Sequence, residues 1–319
     1  MLASALEYIW QNWFVMALLV PFFVAIVNIL DIYFVQSVYE DEWDGVLISG
    51  LFQLTPWLLV LSGLIEFHSP SLFPFSLALF AGGFLMVSFY FYFRVLFSSN
   101  DMVSVQVMSA LSVLLVPFLS WLMFGATLSP VHYFGILLAA LGTLILSIAK
   151  KNEPHQLRSF FYYIIVAVFF LSLSMVLQEQ TYRLIGHDFW TGFLLFTCGG
   201  FFMSLGLLLF DKRSFMKRLT HIIHVSRNNL LVFVVAESIS ILGILTSQRA
   251  IDLSPSVSFV IVIESLLPIF ILLMSGILAL VFLFLDRKKA QQMYQDQFSF
   301  FWIKICASVV IVSGVYLVT

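Results

Sequence analysis

Ten runs of mostly apolar residues, each about twenty residues long, follow one another along the chain. A helix of about 20 residues crosses a hydrocarbon core about 30 Å thick. Hydrophobic residues make up 61% of the 319 and charged residues only 10%, which excludes a soluble enzyme, a nucleic-acid-binding protein and a disordered chain. The runs therefore predict an all-α integral membrane protein with ten transmembrane helices, at residues 14–33, 46–65, 75–97, 102–124, 130–149, 159–178, 190–210, 228–247, 256–283 and 299–318.

The basic residues predict the orientation of these helices. The loops after the odd-numbered helices hold twelve of the fifteen lysines and arginines. Because cytoplasmic loops carry the excess of these residues, we expect the odd-numbered loops in the cytoplasm and both termini outside. The membrane expected is the plasma membrane, or the inner membrane of a bacterium. The net charge of −2 offers no basic field that would attract nucleic acid.

The two halves of the chain share short patterns in the same order. The matches are Phe22-Phe23 with Asp41 and Trp43 against Phe169-Phe170 with Asp188 and Trp190, Asp101 and Pro117 against Asp252 and Pro268, and Gly135 and Gly142 against Ala307 and Gly314. We predict one five-helix repeat at 1–150 and a second at 151–319, with a hydrophilic insertion near 284–298. An odd number of helices inverts the second copy, as in many transporters. Chance similarity between apolar segments is the alternative.

With two five-helix repeats, a proline midway along helices 4 and 9, and a GxxxxxxG-like helix 5, the chain resembles the EamA-type branch of the drug/metabolite transporter superfamily. The resemblance covers nearly the full length. It implies a cavity between the repeats, lined mainly by helices 1, 3, 4, 6, 8 and 9, and transport of small metabolites by alternating access. The chain resembles a divergent member, since it reads Gly125-Ala126-Thr127 where many members carry a Gly-Glu pair. Its basic loops also place the N-terminus outside rather than inside.

Carboxylates within predicted spans are the strongest site candidates, because a charged side chain in the membrane is costly. Glu237 lies near the middle of helix 8 and shares a polar stripe with Ser240. Glu264 lies four residues before Pro268, which frees the Glu264 carbonyl from its helical hydrogen bond. We predict that Glu237, Ser240 and Glu264 bind a substrate or an ion. The alternatives are interhelical hydrogen bonding for Glu237 and stabilisation of the kink for Glu264.

Five further polar residues complete the predicted substrate- or ion-binding set. Asn28 and Asp31 share a face of helix 1, and Gln178 on helix 6 is the repeat counterpart of Asp31. A place at the cytoplasmic interface is the alternative for Asp31. Tyr90 lies on helix 3 and Gln106 on helix 4. Interhelical hydrogen bonding is the alternative for Gln106.

The balance of charge inside the predicted spans is acidic. It favours a secondary transporter of a small cationic or zwitterionic metabolite, with proton coupling through a buried carboxylate as an option. The expected partners are that solute, a proton and the lipid bilayer. The sequence holds no Gly-rich phosphate loop, HExxH or GxSxG motif, so we expect neither an enzyme nor a cofactor. The alternatives are a carrier or flippase of an amphiphilic or lipid-linked substrate, and a membrane enzyme or scaffold that transports nothing.

The segment from Asp211 to Arg227 interleaves basic residues with apolar ones. This pattern predicts a short basic amphipathic helix on the inner leaflet, held there by anionic lipid. A charge cluster that only sets the orientation of the chain is the alternative.

A reporter that fluoresces only in the cytoplasm tests the predicted orientation. Fused after Thr319 it should stay dark, because the C-terminus is expected outside. The matched control is the same reporter fused after Lys289, in the loop that follows helix 9, and this fusion should fluoresce. The measurement is whole-cell fluorescence normalised to the amount of fusion protein. Equal fluorescence from the two fusions would contradict the orientation.

Overall fold

The computed structural model describes residues 2–99, 102–148, 154–210, 215–285 and 301–319. Within these ranges the chain forms thirteen α-helices and no strand. The helices are α1 (Leu2–Gln11), α2 (Trp13–Ser37), α3 (Glu42–Phe52), α4 (Trp57–Leu61), α5 (Leu72–Ser99), α6 (Met102–Phe124), α7 (Pro130–Ile148), α8 (Pro154–Leu184), α9 (Phe189–Leu207), α10 (Phe215–Leu253), α11 (Val257–Glu264), α12 (Leu267–Leu285) and α13 (Phe301–Val318). A 3-10 turn, Leu208–Phe210, extends α9.

Eight helical stretches in the described ranges are long and apolar enough to cross a membrane. They are Trp13–Ser37, Glu42–Leu61, Leu72–Ser98, Val107–Phe124, Phe161–Leu184, Phe189–Phe210, Asn229–Leu253 and Val257–Ile277. Two shorter apolar stretches, Pro130–Leu146 and Trp302–Val318, lie in α7 and α13. The chain is therefore an integral membrane protein of the all-α class, as the apolar runs predict.

Two of the predicted continuous helices are broken in the structure. The run at 46–65 divides into α3 and α4, and Pro56 stands at the N-cap of α4. The run at 256–283 divides into α11 and α12, and Pro268 is the second residue of α12. Proline lacks the N–H that a helix interior needs and fits the first turn of a helix instead, which explains both breaks. The prediction of an unbroken helix is wrong at these two places.

The basic segment is helical, but it does not form a helix of its own. From Phe215 onward it is the first part of α10, which continues to Leu253 with non-helical backbone angles only at Asn229. Residues 211–214 lie outside the described ranges, as does most of the predicted insertion near 284–298. The short helix α1 was not predicted.

Short polar side chains cap several helices at their N-termini. Asn12 Oδ1 accepts hydrogen bonds from the backbone N–H groups of Phe14 and Val15, at 3.1 and 3.2 Å. Asp41, Asp188 and Ser256 accept in the same way at the starts of α3, α9 and α11. Such caps satisfy N–H groups that have no partner within the helix, so they set where each helix begins.

The outer surface of the bundle is apolar and much of its interior is polar. Large apolar side chains such as Phe80, Phe202 and Val309 are exposed, as expected for a surface that faces lipid. Buried hydroxyl side chains, among them Thr181 and Thr197, donate to backbone carbonyls of their own helices. The arrangement leaves polar groups facing one another inside the bundle rather than lipid.

Helices α2 and α10 pack side by side and run antiparallel. The rings of Phe34 and Phe233 stack with their centroids 4.8 Å apart. Further along, a Cβ placed on Gly243 would lie 3.4 Å from Phe23 Cβ. A later residue of α2 therefore meets an earlier residue of α10, and this register decides which of their polar residues face each other.

The other main contacts join helices from the two halves of the chain. Helix α5 packs against α8 and α9, α6 against α8, α11 against α2, and α7 against α13. Within the halves, α6 packs against α7 and α3 against α5. Nine of these helices surround a central space, which is described below.

Helices α7 and α13 cross closely because small residues face each other. A Cβ on Gly135 would lie 2.8 Å from the carbonyl oxygen of Gly314, and one on Gly142 would lie 2.9 Å from that of Ala307. Both distances are too short for a side-chain carbon beside backbone atoms that cannot move independently. Small residues of this kind allow close packing between membrane helices, where the hydrophobic effect does not drive association.

The substitution Gly314→Ala tests this crossing. It should lower the free energy of unfolding by about 1–3 kcal/mol, because the added methyl meets the backbone of α7. The control is Gly276→Ala in α12, where an added Cβ has no neighbour within 4 Å. The control should leave stability unchanged or raise it slightly, since alanine favours a helix more than glycine. Unfolding of the purified protein in detergent is the measurement, and equal effects of the two variants would contradict the close crossing.

Candidate functional site

A cavity of about 210 Å³ lies inside the helix bundle. Residues of α2, α3, α5, α6, α8, α9, α10, α11 and α12 line it. Most of the wall area is apolar, although thirteen of the lining residues have polar side chains. Five of the eight predicted site residues are in the wall: Asn28, Asp31, Glu237, Ser240 and Glu264. A largely apolar cavity with a few placed polar groups is typical of a site for a small organic molecule.

Asn28, Asp31 and Tyr92 form one hydrogen-bonded group in this wall. Tyr92 Oη lies 2.9 Å from Asn28 Oδ1 and 2.9 Å from Asp31 Oδ2. A phenol has a single proton and cannot donate it to both oxygens. Asn28 Nδ2, meanwhile, is buried without a hydrogen-bond partner.

A half-turn of the Asn28 amide resolves both features, and the two orientations have the same shape. Asn28 Nδ2 then donates to Tyr92, and Tyr92 donates its proton to Asp31. The atom left without a partner becomes the Asn28 carbonyl oxygen. The side chain is 4% exposed and belongs to the cavity wall, so it offers a buried acceptor to a ligand.

Glu237 projects from the middle of α10 and connects it to α3. Its Oε1 accepts a hydrogen bond from Ser49 Oγ at 3.1 Å, and both side chains are buried. Asp31 lies close enough for the two carboxyl groups to repel each other when both are ionised. The end of the cavity formed by Asn28, Asp31, Tyr92, Glu237 and Ser49 is called the two-carboxyl end below.

Glu264 is the last residue of α11, where the chain breaks before α12. Its Oε1 accepts a hydrogen bond from Ser247 Oγ of α10 at 2.8 Å. The predicted opening of the helix beside Pro268 is thus present, and the carboxyl group lies at the break. The region of the cavity around Glu264 and Ser247 is called the Glu264 end below.

The two ends are separated along α10. The antiparallel register with α2 brings Asp31 level with Glu237, since Phe34 meets Phe233. Ser247 follows Glu237 by ten residues on the same helix. At 1.5 Å per residue, the backbone positions of Glu237 and Ser247 lie about 15 Å apart along the axis of α10, and Glu264 bonds to Ser247.

The cavity contains acids without basic partners. No lysine, arginine or histidine belongs to its wall in the described part of the chain. Hydrogen bonds from Tyr92, Ser49 and Ser247 are neutral and compensate only part of a carboxylate charge. Because an uncompensated charge in such an environment is costly, each carboxyl group requires either a proton or a cation from outside the protein.

An ion-pair cluster lies at the end of the bundle where α2 connects to α3. Arg218 of α10 is 1% exposed, and its Nη1 lies 2.7 Å from Asp41 Oδ1 and 2.8 Å from Asp44 Oδ1. The ring of His221 lies 3.4 Å from Glu40 Oε1 and 3.5 Å from Asp44 Oδ2. The acidic loop, which has no basic residue of its own, therefore pairs with Arg218 and His221 of α10, and Arg94 of α5 lies 3.9 Å from Glu42. Arg218 lies within the protein rather than on the lipid surface.

A second cluster lies at the opposite end of the bundle. Arg249 pairs with Asp252, and its guanidinium lies 5.0 Å from the centre of the Trp10 ring. His187 Nδ1 lies 3.0 Å from Asp252 Oδ1. Polar contacts thus connect α1, α10 and the link between α8 and α9 at this end.

Three predicted site residues are not placed in the cavity wall. Gln178 is buried and its Nε2 donates to the carbonyl oxygen of Gly192 in α9 at 3.2 Å. Tyr90 Oη accepts a hydrogen bond from Arg94 at 2.8 Å and its ring packs against Trp43. Gln106 lies in α6, but its side chain is outside the described part of the structure.

Two wall residues that bond to the predicted acids, Tyr92 and Ser49, were missed by the sequence analysis. Tyr92 contacts both Asn28 and Asp31 but lies in an unbroken aromatic run, so no contrast of polarity distinguishes it. Ser49 is one of many single serines in apolar helices, and such hydroxyls usually bond to the backbone. Tyr92 and Ser49 can be assigned to the site only from their hydrogen bonds to Asp31 and Glu237 on other helices.

Comparisons with known proteins support the fold and do not reach function. Neither a family model nor a curated protein matches the sequence. Among solved structures, the chain is similar to one described only as "Crystal structure of protein", with a TM-score of 0.60 and 16% identity. The alignment covers 97% of this chain and 96% of that one. A likeness at this identity shows a shared fold along nearly the whole of both chains.

Replacement of Arg218 tests the buried ion-pair cluster. Arg218→Met should lower the free energy of unfolding by about 3 kcal/mol or more, because it removes the buried guanidinium that pairs with Asp41 and Asp44. The control is Arg227→Met, an exposed arginine of the same helix, which should change stability little. Thermal unfolding of the two purified variants compares them, and similar midpoints would contradict the role of Arg218.

Proposed function

We propose that the protein is a secondary transporter of a small organic cation, working by alternating access between two inverted five-helix repeats. The observation that carries the proposal is the internal cavity whose wall holds three carboxyl groups and, within the described ranges, no basic side chain. A bound cation would supply the positive charge that the side chains of this wall do not provide. The mainly apolar remainder of the wall favours an organic ion over a hydrated metal ion.

The wall favours a cation over a zwitterion. A zwitterion needs a partner for its negative group, and transport sites commonly supply an arginine, a lysine or a free helix N-terminus. The described wall has no basic residue. The sequence predicts a cationic or a zwitterionic solute, and the lining of the cavity favours the cationic one.

The pairing of helices supports the inverted repeat. In the proposed repeat, α2 corresponds to α8, α3 and α4 to α9, α5 to α10, α6 to α11 and α12, and α7 to α13. Exchanging the halves then turns the α2–α10 contact into the α8–α5 contact, and both contacts occur. The same exchange turns α11–α2 into α6–α8. A two-fold axis in the membrane plane produces such paired contacts.

The crossing of α7 and α13 supports the same axis at the level of residues. The contact between Gly135 and Gly314 becomes, on exchange, the contact between Ala307 and Gly142, and both are present. These four residues are the ones that the sequence comparison pairs. The resemblance to the EamA-type branch, which rests on the same repeat, is part of this proposal.

Protons and substrate compete for the same carboxyl groups in this mechanism. A carboxyl group that is protonated in the empty cavity loses its proton when a cation binds, because only one positive charge is needed for compensation. Binding at one side and release at the other then exchanges the organic cation for a proton. The ion-pair clusters at the two ends of the bundle support alternating access, since each joins helices that would separate when that end opens.

A carrier of an amphiphilic or lipid-linked molecule is the second candidate, favoured by the apolar share of the wall. The two candidates differ in what competes for the site. A water-soluble organic cation displaces a bound cation in the first case, and only molecules with long apolar chains do so in the second.

Uptake of radiolabelled tetramethylammonium into proteoliposomes tests transport, because this ion carries a permanent charge and crosses lipid poorly. We expect uptake driven by an opposing proton gradient. Glu237→Gln should lower uptake at least about tenfold, since loss of one partner of a buried ion pair costs about 2 kcal/mol or more. The control Glu66→Gln, in an exposed link, should behave as the parent. Equal uptake by both variants, or none by the parent for any of several organic ammonium ions with one or two charges, would contradict the proposal.

A further inference from the structure

The carboxyl groups of the cavity are divided between two ends rather than gathered in one cluster. Asp31 and Glu237 lie at the two-carboxyl end, and Glu264 lies about 15 Å away along α10. A compact cation reaches one end only. It would leave the other carboxyl group without compensation, so the distribution of charge itself carries information about the shape of the solute.

The two-carboxyl end suits a primary ammonium group. Such a group has three N–H donors and a single charge. Asp31, Glu237 and the Asn28 carbonyl oxygen, which the half-turn of the amide leaves without a partner, offer three acceptors on two neighbouring helices. The buried and unpartnered amide is independent of the acids and points to a ligand, because a buried polar atom without a partner is costly.

The Glu264 end suits a second positive group. Glu264 receives one neutral hydrogen bond, from Ser247, and its remaining acceptor sites have no cationic partner in the described wall. Between the two ends Val24 and Ile244 give the wall apolar surface, and Ser240 adds one hydroxyl group on α10. Gly243 adds no side chain to the space there. A hydrocarbon chain fits this stretch better than a polar one.

We propose that the solute is an elongated dication, a linear α,ω-diamine held at both ends by carboxylates with its methylenes against the apolar stretch. This inference rests on the proposed function and names its substrate class. With the carboxyl oxygens of the two ends taken to be as far apart as the backbone positions of Glu237 and Ser247, about 15 Å, an N–O distance of about 2.8 Å at each end leaves about 9 Å between the two nitrogens. An extended chain covers about 3.6 Å per three bonds, so the span corresponds to about six or seven methylenes.

A series of diamines tests the inference on the full-length protein in detergent at pH 7. Binding is measured by calorimetry for diamines with three to twelve methylenes and for the n-alkylamines of matching length. We expect the affinity to pass through a maximum near six to eight methylenes. At that length the diamine should bind at least about tenfold tighter than the matched monoamine, because the second ammonium gains a buried partner. An affinity that rises steadily with length, or equal affinities for the two series, would overturn the inference.

Two substitutions at one position add tests that do not depend on a single variant's folding. Glu264→Gln should reduce the affinity for the best diamine to about that of its monoamine, and it should reduce the affinity for the monoamine much less. Glu264→Asp shortens the side chain by one carbon and should move the best diamine to a longer chain by about one methylene. A loss of the same size for both series, or a maximum that stays in place in Glu264→Asp, would overturn the inference.

The outcomes separate this inference from the proposed function. Binding and transport of monovalent amines without any preference for diamines contradict the dication and leave the cation transporter standing. Absence of binding by all amines of both series, together with absence of tetramethylammonium uptake, contradicts both. A peak in the length series that disappears in Glu264→Gln supports both.

Discussion

Burying carboxyl groups in a bundle that faces lipid is the constraint on which this protein depends. Hydroxyl groups from Ser49, Tyr92 and Ser247 reach Glu237, Asp31 and Glu264, but they bring no positive charge. Arg218 and Arg249 lie outside the cavity, in ion-pair clusters at the two ends of the bundle. Compensation inside the cavity therefore has to come from a proton or a solute, and the free energy of that compensation can be used for binding.

The packing of the antiparallel helices α2 and α10 determines where the buried carboxyl groups lie. Its register brings Asp31 level with Glu237 and leaves Ser247, with Glu264, about 15 Å further along α10. The break between α11 and α12 places Glu264 at the cavity because Pro268 cannot continue the helix. One helix pair and one proline thus determine the distance between the acidic ends. In the proposed function this distance selects the length of the solute.

The contacts between the two halves of the chain surround the cavity, so in the proposed transport cycle a movement of one half against the other would change access to it. Helices that line the cavity from one half pack against helices of the other, and the α7–α13 crossing holds the halves together through small residues. In the proposed transport cycle the α7–α13 crossing serves as a pivot, while Arg218 joins α10 to Asp44 of α3 and His187 joins the α8–α9 link to Asp252 of α10. Membrane carriers built from inverted repeats move in this way around a central site.

The sequence by itself determined the class of the protein and the candidates for its site, because apolar runs of membrane length and acids within them are properties of the chain alone. It indicated Glu237, Glu264, Asn28, Asp31 and Ser240, all of which lie in the cavity wall. It could not identify Tyr92 or Ser49, and it did not separate Gln178 and Tyr90 from the wall, because a helical repeat of 3.6 residues shows which residues share a face but not what that face meets. Which acids share an end, and how far the ends are apart, was decided only by the tertiary structure, since both depend on the register between helices that lie about two hundred residues apart in the chain.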